Sequence, residues 1–96
     1  MIKLEKKETI YLLNLAANEN RWNTTFVREI AKALDEIEKD EGPGALITSS
    51  ENPKFFSNGL DLDWMQDPKS NPDGGDRDVF GKEFMHLMGR FITLPI

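Results

Sequence analysis

The sequence has no cysteine, which excludes disulfide frameworks, thiolate metal sites and a cysteine nucleophile. Its single histidine, His86, has no serine or cysteine patterned around it, so it is expected to be a partly buried structural residue of a helix. No apolar run approaches the ~20 residues of a membrane span. The first residues lack the apolar core of a secretory signal and carry too many acids for a transit peptide, so secretion is not expected. There is no basic stripe either. Twelve Lys plus Arg stand against 17 Asp plus Glu, a net charge of −5, which argues against nucleic acid as a partner.

What is present suits a folded segment: 39% hydrophobic and 30% charged residues over 96 positions. A chain of this size buries only about 60–65% of its unfolded surface, so its core is modest. After a charged opening, residues 9–16 are rich in β-branched, aromatic and aliphatic side chains. Ile10, Leu12 and Asn14 point one way and Tyr11, Leu13 and Leu15 the other, predicting a strand with both faces at least partly covered. Residues 18–23 are polar and turn-forming, and Asn23 can cap a helix. Phe26, Ile30, Ala33, Leu34 and Ile37 then recur at three- and four-residue steps, the stripe of an amphipathic helix. Gly42, Pro43 and Gly44 are expected to end it. Residues 45–48 (ALIT) read as a buried strand. Strand, helix, strand in this order predicts a parallel crossover and an α/β fold.

Residues 49–57 form a polar connection, Asn58 and Gly59 mark a tight turn, and residues 60–65 can begin a short helix. Residues 66–78 carry two prolines and many acids and amides, predicting a flexible surface loop. A second amphipathic helix is expected from about Val79, with Phe80, Phe84, Leu87, Met88 and Phe91 on one face. Leu94, Pro95 and Ile96 resemble the lead into a further strand. Two helices and two strands close poorly on themselves, so residues 1–96 are expected to be the N-terminal portion of a single larger domain.

The distinctive stretch is residues 45–62, a buried strand leading through a polar loop and two aromatics into a Ser-Asn-Gly turn that opens a helix. Such a turn aims a main-chain N–H at a ligand oxygen. Gly59, lacking Cβ, permits unusual dihedrals and close approach, and an amide beside a helix N-terminus can meet developing negative charge. Other candidates read blandly. Asp61, Asp63 and Asp67 raise a cation site, and residues 67–78 have the length of an EF-hand loop. Yet Pro72 stands where that loop needs Gly, and no bidentate Glu closes it. A solvated acidic loop and no metal site are the expectation. Trp22 and Trp64 suit lipid-tail or core contacts, and core is the default for aromatics.

Residues 54–62 (KFFSNGLDL) resemble the signature of the crotonase superfamily, the enoyl-CoA hydratase/isomerase family, nearest its enoyl-CoA delta-isomerase branch. The flanking order agrees: an N-terminal strand, Asn23 opening the first long helix, and the strand at 45–48. The resemblance implies a crotonase-like spiral of ββα units, truncated here before the second oxyanion-hole motif. It implies that the residue before Gly59, Asn58, donates a backbone N–H to the hole that holds a thioester carbonyl. Ser57, Gly59, Leu60 and Asp61 fall where the family lines its acyl-CoA pocket. Asn20, Arg21 and Trp22 match a segment that touches the coenzyme, and Arg21 can attract its phosphates. No separate cofactor is implied, since the coenzyme A thioester is itself the substrate.

The second donor and the acid/base carboxylate would lie beyond Ile96, so this chain alone is expected to be incomplete for catalysis. The family's trimeric or hexameric homo-oligomers, and a cytoplasmic or peroxisomal location, are further expectations. The alternative is a non-catalytic product that binds a partner or full-length subunits through the apolar faces left exposed.

Overall fold

The computed structural model describes residues 2–42, 44–67 and 75–94. Element order is β1 (Ile2–Lys7), β2 (Ile10–Leu15), α1 (Thr24–Lys39), β3 (Ala45–Ser50), α2 (Leu62–Gln66) and α3 (Gly75–Thr93). The three strands form one sheet in the order β1-β2-β3, with β1 antiparallel and β3 parallel to the central β2. The β2-α1-β3 crossover matches the parallel α/β reading.

β1 is a strand where the sequence suggested only a charged opening. Ile2 and Leu4 alternate with Lys3 and Glu5, and both apolar side chains pack on the core. A two-residue turn joins β1 to β2, pairing Lys7 with Ile10, and Glu8 takes the left-handed conformation there at φ 56°. On β2, Tyr11, Leu13 and Leu15 are buried as the alternation predicts. The opposite side of the sheet is only partly covered, with Leu12 and Asn14 half-buried. Ile10 is exposed, and β3 has no fully buried residue, with Ile47 51% exposed. β3 is therefore not a buried strand among the described residues, because it is an outer strand with helices on one side only.

On the covered side, α1 lays Phe26, Val27, Ile30, Ala33, Leu34 and Ile37 against β2. Phe80 and Leu87 of α3 complete the cluster. Each fully buried side chain of this kind contributes roughly 1.5–3 kcal/mol. Arg28 meets Glu83 at 3.0 Å, and Arg90 meets Asp35 at 2.8 Å, lacing α1 to α3 along their exposed rims.

α1 stops before the glycines. Its C-cap is Asp40, whose N–H donates to the Ile37 carbonyl. The Asp40 carboxylate accepts from the Tyr11 hydroxyl (2.7 Å), the Gly42 N–H (3.0 Å) and the Lys6 ammonium. A carboxylate tied to the sheet thus ends the helix, and Pro43 lies outside the described residues. α3 begins four residues earlier than Val79. Of the loop expected over 66–78, Gln66 closes α2 and residues 75–78 are already helical, while residues 68–74 lie outside the described segments. Residues 95–96, and any strand they lead into, also lie outside them. His86 is exposed rather than partly buried, at the rim of the groove between α1 and α3.

Candidate functional site

The sequence-nominated residues come together at one junction, where residues 19–22 lie alongside residues 56–61. Two main-chain bonds define it. The Trp22 N–H donates to the Gly59 carbonyl (2.8 Å), and the Asp61 N–H donates to the Trp22 carbonyl (2.9 Å). Together they make a parallel bridge between Trp22 and Leu60. In such a bridge the flanking groups face the partner, so the bridged residue's own N–H and C=O face the other way. Among the described residues the Leu60 N–H meets no acceptor.

Asn58 behaves differently. Its main-chain N–H donates to the Glu19 carbonyl at 2.8 Å, so the amide nominated as oxyanion donor is engaged within the chain. Its side-chain amide also donates to the Glu19 carboxylate (3.2 Å). Gly59 sits at φ 79°, where an added Cβ would meet nothing within 4 Å. Its glycine requirement is therefore one of backbone conformation and not of crowding. Its N–H lies 3.3 Å from the Ser57 hydroxyl.

The coenzyme-contact candidates divide. Asn20 is completely buried, and all its side-chain partners lie within the chain, so it touches no ligand in this conformation. Arg21 is partly exposed but faces the Glu19 carboxylate at 2.6 Å. That pairing, with help from the Asn58 amide, holds the Glu19 carboxyl below the usual carboxylate range. Trp22 is partly buried and packs against the core, edge-on to Phe26 (4.9 Å) and Phe84 (5.1 Å). Trp64 likewise packs edge-on to Phe80 at 5.6 Å.

Asp61 caps α2, its carboxylate accepting from the Trp64 N–H at 3.1 Å. The other oxygen accepts from the Asn23 amide at 3.0 Å, while Asn23 caps α1 by accepting from the Phe26 N–H at 2.9 Å. The starts of two helices are thus bound to each other beside the glycine bend. Next to the junction an apolar cavity of about 260 Å³ is lined by Leu13, Trp22, Thr48, Phe56, Met88 and Phe91 among others.

Sequence reasoning did not nominate Glu19, Ser50 or the Asn23–Asp61 contact. The run of asparagines at 18–23 held the available signal, because Asn tolerates the left-handed region that Asn18 and Asn20 occupy.

No protein-family model matches the chain. It is 32% identical over 98 residues to enoyl-CoA delta isomerase 2, peroxisomal, of Arabidopsis thaliana, a match covering 100% of this chain and 41% of that protein. It is also 32% identical over 99 residues to enoyl-CoA delta isomerase 1, peroxisomal, of the same plant, covering 100% and 39%. The chain therefore spans about two fifths of the length of these relatives.

Among solved structures, an enoyl-CoA hydratase from Shewanella pealeana superposes with a TM-score of 0.82 over 98% of this chain and 36% of its own, at 19% identity. A Legionella pneumophila protein described as an enoyl-CoA hydratase/isomerase (crotonase) gives 0.74 over 91% and 34%, at 22% identity. These two share the fold, while the plant relatives carry the sequence likeness. The chain belongs to the crotonase superfamily, the enoyl-CoA hydratase/isomerase family.

Proposed function

We propose that the chain carries half of an oxyanion site for an acyl-CoA thioester, in a protein of enoyl-CoA isomerase or hydratase type. One observation carries this reading: the Leu60 N–H, at the glycine bend, faces away from Trp22 and meets no acceptor among the described residues. The role first assigned to the Asn58 N–H passes to Leu60, because the Asn58 bond to Glu19 must break before a ligand can use it. When a proton leaves the carbon beside a thioester, negative charge gathers on the carbonyl oxygen, and a fixed N–H placed there stabilises it. Leu60 supplies one such donor. A second donor and a proton-transferring carboxylate would complete such a site. Ser57, Gly59 and Asp61 shape the bend, and the apolar cavity beside Trp22 and Phe56 suits an acyl tail. Arg21 meets coenzyme phosphates only by sharing or leaving Glu19. Two matched relatives named as peroxisomal favour that compartment, and a homo-oligomer is the expected assembly.

Replacing Leu60 by Pro in the catalytically complete polypeptide removes the donor and should lower kcat about 10²–10³-fold. Asn58→Pro should loosen the bend and raise KM with a smaller change in kcat. Unchanged turnover in Leu60→Pro rejects the assignment, and a larger kcat loss in Asn58→Pro returns the role to Asn58.

A second reading, a non-catalytic product that binds a partner, is favoured by large apolar side chains left in solvent. Phe56 is 56%, Met85 73% and Ile92 85% exposed. Size-exclusion chromatography with a full-length relative separates the readings. Co-elution supports partner binding, and independent elution as a compact monomer dismisses it.

A further inference from the structure

We infer that Asn20 is the positioning residue of this site: it holds the loop at 56–61 so that the Leu60 N–H faces a bound thioester. The inference rests on the proposed reading of Leu60 and adds the residue through which the chain enforces it.

Asn20 is the only polar residue in the buried class among the described residues, and it is wholly enclosed. An asparagine amide offers one acceptor oxygen and two donor hydrogens, and here all are used. Oδ1 accepts from the Ala17 N–H (2.9 Å), and Nδ2 donates to the Ser50 hydroxyl (2.8 Å) and the Phe56 carbonyl (2.9 Å). The Asn20 carbonyl in turn accepts from the Ser57 hydroxyl at 2.7 Å. One residue thus grips two consecutive positions of the loop, one with its side chain and the next with its main chain.

The grip extends in both directions. The Ser50 hydroxyl donates to the Phe55 carbonyl (2.8 Å), fixing how the chain leaves β3. Beyond Ser57, Glu19 takes the Asn58 N–H and Trp22 bridges Leu60. Residues 19–22 therefore act as a rail along 56–61, and Asn20 is its one enclosed member. Asn20 also sits at φ 54°, a left-handed conformation that asparagine enters more readily than other residues with a Cβ. A buried amide with every partner met is rigid, and one left partly unmet is strongly penalised. Such a residue sets direction more than it adds burial.

Two variants separate these roles. Asn20→Asp keeps shape and acceptor but loses both donors, while Asn20→Gly relaxes the φ angle and removes the side chain. Amide hydrogen exchange in the 96-residue chain is followed at Asn58 and Asp61, relative to Leu34 in the core. In both variants the ratio should shift at least tenfold toward faster loop exchange; a ratio within twofold of the original in both overturns the inference. Titration with butyryl-CoA, read by the Leu60 amide resonance and the red shift of the thioester carbonyl band, supplies a signature that core packing does not move. The original chain should show both responses and the variants should lose at least half of each. A Leu60 amide indifferent to butyryl-CoA in the original chain defeats the site reading itself. An equal response in chain and variants defeats only the part given to Asn20.

Discussion

The helix-on-sheet layer and the junction of residues 19–22 with 56–61 are built on opposite principles. In the layer, α1 presses six buried apolar side chains onto β2, and no particular pair of atoms is indispensable. At the junction no apolar side chain is fully buried, and Trp22 is only partly so. The two segments are instead held by directed bonds from main chain and amides, several made by residues with positive φ. Burial is forgiving in direction and additive in area, so it makes a platform. Hydrogen bonds fix orientation, so they can point a single N–H. The contrast teaches that this small fold delegates stability to one region and aim to the other.

The largest expected effect strikes the platform. Leu34 is fully buried, and Leu34→Ala should cost about 2–5 kcal/mol, read as a lowered urea midpoint, while the exchange ratio of Asn58 to neighbouring core amides holds. A ratio that collapses with it would erase the distinction between the regions. Gly59→Ala comes next. With open space around the added Cβ, its cost is conformational, about 1–2 kcal/mol at φ 79°. Loss of the Leu60 amide response should exceed what that stability change explains.

Asn23→Ala removes the α1 cap and its contact to Asp61 and should cost about 1 kcal/mol by thermal unfolding. It should also disturb the Trp64 amide on α2, which lies outside α1. Asp40→Asn should leave the smallest trace at neutral pH and the clearest one in acid. Lys6 above all, then Tyr11 and the Gly42 N–H, hold the Asp40 carboxyl far below its ordinary range. Its folded pKa is depressed, so its contribution is complete above the unfolded value of about 3.9 and fades as pH falls below it. The variant's stability should therefore fall less steeply with acid than the parent's, in melts recorded from pH 6 downward.

The platform was the more legible region. Periodicity marked every α1 core position except Val27, and alternation marked the buried side of β2. It failed at β1, where only Ile2 and Leu4 alternate and the charges around them dominate composition. At the end of α1, glycine and proline were visible stop signals, whereas the carboxylate cap bound to a distant tyrosine was not. At the site, the motif located the bend and the cluster but not the free donor. Which N–H remains available depends on Glu19 and Trp22, almost forty positions away, and no local pattern in 54–62 records that pairing. Burial of Asn20 was hidden for the same reason, since its partners Ser50 and Phe56 arrive only after α1 and β3 have folded.

The amide of Asn23 and the carboxylate of Asp61 have a mechanical consequence. Because each anchors the first turn of its own helix while clasping the other, α1 and α2 share a single hinge pin. Any displacement of the bend beside Leu60 therefore bears on the first turns of both helices at once.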